Sequence, residues 1–165
     1  MAEPDAATAA EELTEQPLRG DDAPEPLATV SGSFPQVFGG PSEPVTVDIL
    51  EVRAAEGSTL LRWRLRSPGA QRVRVYTSAL SLPNRFDTRA VALVDARGAQ
   101  QLQAFTYVPE GSDLPLSCVC SVLPDDVGEV GALLHGLYPP LDPGTTEVDV
   151  LVPGLAPALG VPVTR

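Results

Sequence analysis

The chain has 165 residues, 43% hydrophobic and 20% charged, with 11 Lys+Arg against 22 Asp+Glu and a formal net charge of −11. All the cations are arginines. That balance leaves no case for general binding to nucleic acid or to an anionic membrane, and no 18-residue apolar run offers a transmembrane helix.

Residues 1–44 stand apart in composition. Nine acids (Glu3, Asp5, Glu11, Glu12, Glu15, Asp21, Asp22, Glu25 and Glu43) oppose one cation, Arg19, so the segment nets −8 and residues 45–165 net −3. Such a stretch buries too little apolar surface to offset its ordering entropy. The expectation is a disordered acidic tether over 1–44, in which Phe34, Val37 and Phe38 are placed to dock on the domain that follows.

From Val45 the apolar period is two. "VTVDIL" (45–50) sets Val45, Val47 and Ile49 against Thr46 and Asp48. "LLRWRLR" (60–66) turns Leu61, Trp63 and Leu65 inward and Arg62, Arg64 and Arg66 outward, and "RVRVYT" (72–77) does the same with Val73 and Val75 against Arg72 and Arg74. Further strands are expected at 90–95, 101–108, 118–122, 131–138 and 146–152. Turn chemistry separates them: Glu56-Gly57, Ser67-Pro68-Gly69, Asp95-Ala96-Arg97-Gly98 and Asp142-Pro143-Gly144. No segment carries a sustained helical period with caps. Seven or eight short strands at this spacing predict an all-β chain, an immunoglobulin-like antiparallel β-sandwich over 45–165.

The order "VTVDILEVR…TLLRWRLRS…VRVY…AVALVD…CVCS…LYPPLDPGTTEVDVLVPG…GVPV" resembles small immunoglobulin-like modules of exported actinobacterial proteins. Some of these are lipoproteins, and some precede an OmpA-like peptidoglycan-binding domain. The resemblance spans 45–164 and rests on the "C-x-C-S" and on the "Y-P-P…G-T-T-x-V-D-V-x-V-P-G" run. It implies an extracytoplasmic location and a structural or binding role, with a protein or envelope polymer as partner. The chain as written shows no positive, apolar leader and no lipobox cysteine, so any anchoring would come through a leader ahead of Met1. A cytoplasmic adaptor with free thiols is the alternative location and role.

Cys118 and Cys120 are the two cysteines. In a regular strand, residues two apart have Cα atoms roughly 6.5–7 Å apart, at the upper limit for a disulfide. A bridge therefore needs a bend, and "LPLSCVCS" offers a strand end after Pro115. Export favours a disulfide, whereas the cytosol favours two half-buried thiols. A third reading is a small metal or redox protein, but two thiolates are half of a tetrahedral shell. His135, the single histidine, is the lone candidate base for a cysteine or serine nucleophile. No nucleophile elbow is present, so the expectation is a non-enzymatic protein without a cofactor or metal. Asp113 and the pair Asp125-Asp126 read as solvated turns. Arg62, Arg64, Arg66, Arg72 and Arg74 form a possible basic binding stripe if their strands share one sheet; the competing reading pairs each with a nearby acid. Trp63 is assigned to the core near Leu61, Leu65, Val47 and Val150.

Overall fold

The computed structural model describes residues 24–36, 39–75, 78, 80, 87–95, 97, 99–111 and 116–165. Among these the chain is all-β, with several antiparallel sheets and no α-helix. Three long strands begin it: β1 (Ala28–Phe34), β2 (Glu43–Ala54) and β3 (Thr59–Arg66). With β10 (Ala132–Tyr138) they form a first sheet in the order β1-β2-β3-β10. A second sheet runs β12-β11-β5-β6, from β5 (Ala92–Asp95), β6 (Gln100–Gln103), β11 (Glu147–Leu151) and β12 (Ala158–Pro162). Two-residue strands make the remaining pairs, β4 (Val73–Arg74) with β9 (Asp126–Val127) and β7 (Thr106–Tyr107) with β8 (Ser117–Cys118).

Alternation explains the burial. On β3, Leu61, Trp63 and Leu65 are at most 1% exposed, and the arginines between them are only partly covered. Ile49 lies opposite Trp63 and Val47 opposite Leu65, so the apolar rows of β2 and β3 face the same way. These residues share one cluster with Leu93, Val148, Val150 and Val161 of the second sheet. Trp63 is therefore a core residue among the neighbours expected for it.

On β2 the alternation changes phase. A bulge between Ile49 and Glu51 lets Leu50 slip out of register, so the core row passes from Val45, Val47 and Ile49 to Val52 and Ala54. The long strand can thus bend across the core without turning its apolar face to water.

Several expectations need correcting. The tether assigned to 1–44 contains strand β1, which pairs with β2 from Ala28 opposite Ile49 to Phe34 opposite Glu43. Phe34 is fully buried there. A Cβ on Gly32 would come 2.7 Å from Leu155 Cδ2, so a larger residue there would displace the end of that leucine side chain where it closes over the strand. Residues 1–23, Val37 and Phe38 lie outside the described residues. The single strand expected over 101–108 divides into β6 and β7 at Ala104 and Phe105, because the chain leaves the second sheet to join the edge of the first. The strands expected at 72–77 and 118–122 shorten to Val73–Arg74 and Ser117–Cys118, and Tyr76 and Thr77 fall outside the description. β9 and β12 were not expected. In β12, Ala158 and Val161 are both buried although three apart, because β12 carries one residue more than β11 between the pairs Val150–Ala158 and Val148–Val161, with a positive φ of 61° at Gly160.

The expected turn at Asp142 forms. Gly144 N donates to Asp142 Oδ1 at 2.8 Å and Thr145 N to the Asp142 carbonyl at 2.9 Å. Asp95 Oδ1 accepts from Arg97 N at 3.0 Å, while its Oδ2 accepts the buried Thr145 hydroxyl at 2.7 Å. Tyr138 donates its buried hydroxyl to the Val91 carbonyl at 3.0 Å, and burial pushes its phenol well above the usual range.

Thr59 is the exception. Its Oγ1 is fully buried at the start of β3 without a hydrogen-bond partner among the described residues. A buried hydroxyl in that state loses hydration and gains nothing. Thr59→Val, close in shape, is expected to stabilise the protein by about 1 kcal/mol, read as a higher urea midpoint at unchanged slope; a lower midpoint would mean the hydroxyl has a partner in solution.

Candidate functional site

The outer face of the first sheet is organised in cross-strand rows set by register. Asp48 of β2 lies opposite Thr29 of β1 and Arg64 of β3, and Arg64 lies opposite Leu133 of β10. The next row runs Glu51, Arg62, His135, and the one beyond it Arg53, Leu60, Leu137.

Asp48 is the anchor of the ionic end. It is 1% exposed although it points away from the core, because two arginine side chains lie over it. Arg64 donates to Oδ2 through Nε (3.1 Å) and Nη2 (2.8 Å), Arg66 donates to Oδ2 through Nε (2.9 Å), and Thr29 Oγ1 donates to Oδ1 (2.9 Å). Burial pushes the carboxyl up, but the hydrogen bonds from Arg66, Arg64 and Thr29 outweigh it and hold Asp48 below the usual carboxylate range. The same bond raises the Arg66 guanidinium. Glu51 serves Arg62 at 3.3 Å and Arg53 at 3.6 Å. On this face four guanidiniums share two carboxylates.

The five arginines of the expected stripe therefore divide. Arg62, Arg64 and Arg66 stay together on β3. Arg72 and Arg74 lie beside β9 in a separate pair of strands, where Arg72 meets Asp126 and Arg74 meets Glu43 at 3.2 Å. Each of the five has an acid partner. Asp126, read as a solvated turn residue, is half of one such pair and Asp113 lies outside the described residues.

At the other end the first sheet is extended by two short segments. Cys120 bridges Gly136 of β10, with Ser121 N donating to the His135 carbonyl at 2.9 Å and Leu137 N to the Val119 carbonyl at 2.8 Å. Phe105 N donates to the Leu137 carbonyl at 2.8 Å and Val119 N to the Phe105 carbonyl at 2.7 Å. Alternation then sets Val119, Ser121, His135 and Leu137 on the outer face, and Cys120 and Gly136 on the core side. Phe105 (37% exposed), Tyr107 (51%) and Val119 (37%) leave an apolar surface beside the arginine rows, and Leu133 (46%) is exposed within the row of Asp48 and Arg64.

Cys118 and Cys120 are a close pair, their sulfurs in bonding contact and their Cα atoms 5.2 Å apart. The chain bends at Val119 between them, where it leaves β7 for β10. Cys118 belongs to the core cluster at 8% exposure and Cys120 packs partly buried against it. Asp87, which bridges Val122, brings a carboxylate oxygen to within 4.8 Å of both sulfurs. Arg89 clamps that carboxylate through Nε (2.8 Å) and Nη2 (2.7 Å), and Nη2 also donates to the Leu116 carbonyl at 2.9 Å. Its guanidinium is raised by the hydrogen bond to Asp87. Two sulfurs and one carboxylate supply three donors, one short of a structural zinc shell.

His135 does not join this group. It is exposed on the opposite face, its Nδ1 2.9 Å from Ser121 Oγ, which also accepts the His135 backbone N–H at 2.8 Å. A cysteine–histidine pair is thereby separated by the sheet itself. Sequence reasoning missed Asp87 and Arg89, which lie about 30 residues from the cysteines, and it missed the burial of Asp48. The signal for Asp48 was an acid on the strand neighbouring three alternating arginines. No family model, curated protein or solved structure matches the chain.

Proposed function

We propose that this protein is an extracytoplasmic interaction module of the cell envelope, an immunoglobulin-like β-sandwich that works by contact with a polypeptide partner. The two four-stranded sheets that share one core support the sandwich reading. The close pair Cys118–Cys120 supports export, since an oxidising compartment turns such a pair into a disulfide.

The observation that carries the contact is the outer face of the first sheet. Phe105, Tyr107 and Val119 are exposed and brought together by register, and grouped apolar side chains of this kind mark interaction surfaces. Beside them the arginine rows hold more positive than negative charge, on a chain that is otherwise strongly acidic. A guanidinium fixed by one carboxylate keeps further N–H donors free for a second. The partner chemistry that fits is an extended acidic segment with apolar anchors, its carboxylates over Arg62 and Arg53 and its side chains against Val119 and Phe105.

The test is amide spectroscopy of the full chain titrated with a synthetic peptide alternating Glu and Leu. Shifts should centre on Leu60, Val119, Leu133 and His135, weaken with salt, and disappear in Val119→Asp. Shifts confined to the second sheet, or none, would sink the reading.

A further inference from the structure

We propose that Cys118 and Cys120 form a thiol–disulfide exchange site that takes two electrons from a dithiol, with Cys120 as the sulfur that is attacked. The inference stands on the local geometry of the pair and does not need the acidic partner described above.

Three observations carry it. A bridge between residues two apart closes a very small loop, and its restriction of the unfolded chain is roughly half that of a 15-residue loop. Stabilising the fold is thus a poor reason for the pair. The sulfurs are also unequal: Cys118 sits in the core at 8% exposure, whereas Cys120 is the more open of the two. Finally, a carboxylate lies beside both. Asp87 has an oxygen within 4.8 Å of each sulfur, and it is held there by Arg89 and by Thr88, whose N–H donates to the Ser121 carbonyl at 3.1 Å. Apolar side chains flank the pair in sequence on its own side of the strand, Leu116 at 45% and Val122 at 78% exposure.

The step balances without another reactant. One thiolate of the incoming dithiol attacks Cys120 Sγ; the new S–S bond forms as the Cys118–Cys120 bond breaks. Cys118 leaves with the electron pair and takes the proton shed by the attacking thiol, which Asp87 is placed to carry. The second thiolate of the substrate then attacks the substrate sulfur bound to Cys120; the substrate disulfide forms as the mixed disulfide breaks, and Cys120 leaves with the electron pair and takes the second thiol's proton. The dithiol ends as a disulfide, and the protein as Cys118 and Cys120 thiols.

Two sources of thiol are distinguished by two arms: oxidised full chain is incubated with excess reduced glutathione, or with a reduced synthetic peptide containing two cysteines. Mass spectrometry should show the protein gaining two hydrogens, with one equivalent of peptide disulfide formed per chain in the second arm. Reduction by glutathione alone would assign a small-thiol substrate, and reduction mainly by the peptide a polypeptide one. A bridge that survives both arms in the folded chain overturns the proposal. To identify the attacked sulfur, Cys118→Ser and Cys120→Ser are treated with oxidised glutathione. The first should form a mixed disulfide at least about tenfold faster than the second, following access to the thiol; equal rates overturn the assignment to Cys120. Asp87→Asn should change the pH profile of the exchange rate, measured where the variant is folded; an unchanged profile removes Asp87 from the step.

Discussion

Replacing Arg64 and Arg66 together by methionine is expected to cost about 3–5 kcal/mol near neutral pH. Methionine keeps apolar cover over Asp48, so the carboxylate stays out of water while losing both cations, and Thr29 alone remains to bond it. An uncompensated buried charge is among the costliest single defects in a fold. The pH response should also invert. In the native protein the folded Asp48 carboxyl is depressed, so its contribution is present above the unfolded value and is lost as pH falls through the folded one. In the double variant burial, opposed by Thr29 alone, raises the carboxyl, so protonation relieves the defect and acidification restores part of the stability. Urea unfolding from neutral pH down to about pH 4 separates the two, that being the ordinary carboxylate range. If parent and variant lose stability in parallel on acidification, Asp48 is not the buried anchor described here.

Trp63→Ala is expected to cost a similar about 3–5 kcal/mol. Trp63 is 1% exposed, lies between Ile49 and Leu134 in the first sheet, and shares a cluster with Leu93 and Val150 of the second. Removing the indole opens a cavity where the two sheets meet, and strands tied by register cannot collapse far into it. Trp63→Phe should lose about half as much, since the smaller ring retains most of the contacts. Trp63 is the one tryptophan, so unfolding of these variants is followed by circular dichroism rather than fluorescence. A loss below about 1 kcal/mol for the alanine variant would mean that the two sheets do not pack across this residue.

Local pattern made the central strands legible. β3 alternates without interruption, and β10 and β11 nearly so; each was expected within a residue or two of its observed bounds. β1 was missed for a different reason. "ATVSGSF" does alternate, with Ala28, Val30, Gly32 and Phe34 turned inward, but the dense acids ahead of it dominated the composition of the whole segment. β12 was illegible because one extra residue at Leu159–Gly160, opposite Asp149 of β11, sets Ala158 and Val161 on the same face although they are three apart. The arginine row was half right. Outward direction follows from alternation along one strand, but which sheet receives the next strand does not.

The sequence by itself determined the all-β class, the inward row of β3, the turn at Asp142, and the need for a bend if Cys118 and Cys120 are to meet. All of these depend on residues within a few positions of one another, where backbone geometry and side-chain period act directly. Only the tertiary structure decided that Asp48 is buried beneath Arg64 and Arg66, that Arg72 and Arg74 belong to another pair of strands, that His135 faces away from the cysteines, and that Asp87 stands beside them. Those juxtapositions join residues 16 to 54 positions apart. They are set by strand pairing and a bulge, which shift whole rows of side chains together and leave no periodic trace in the sequence around any one of them.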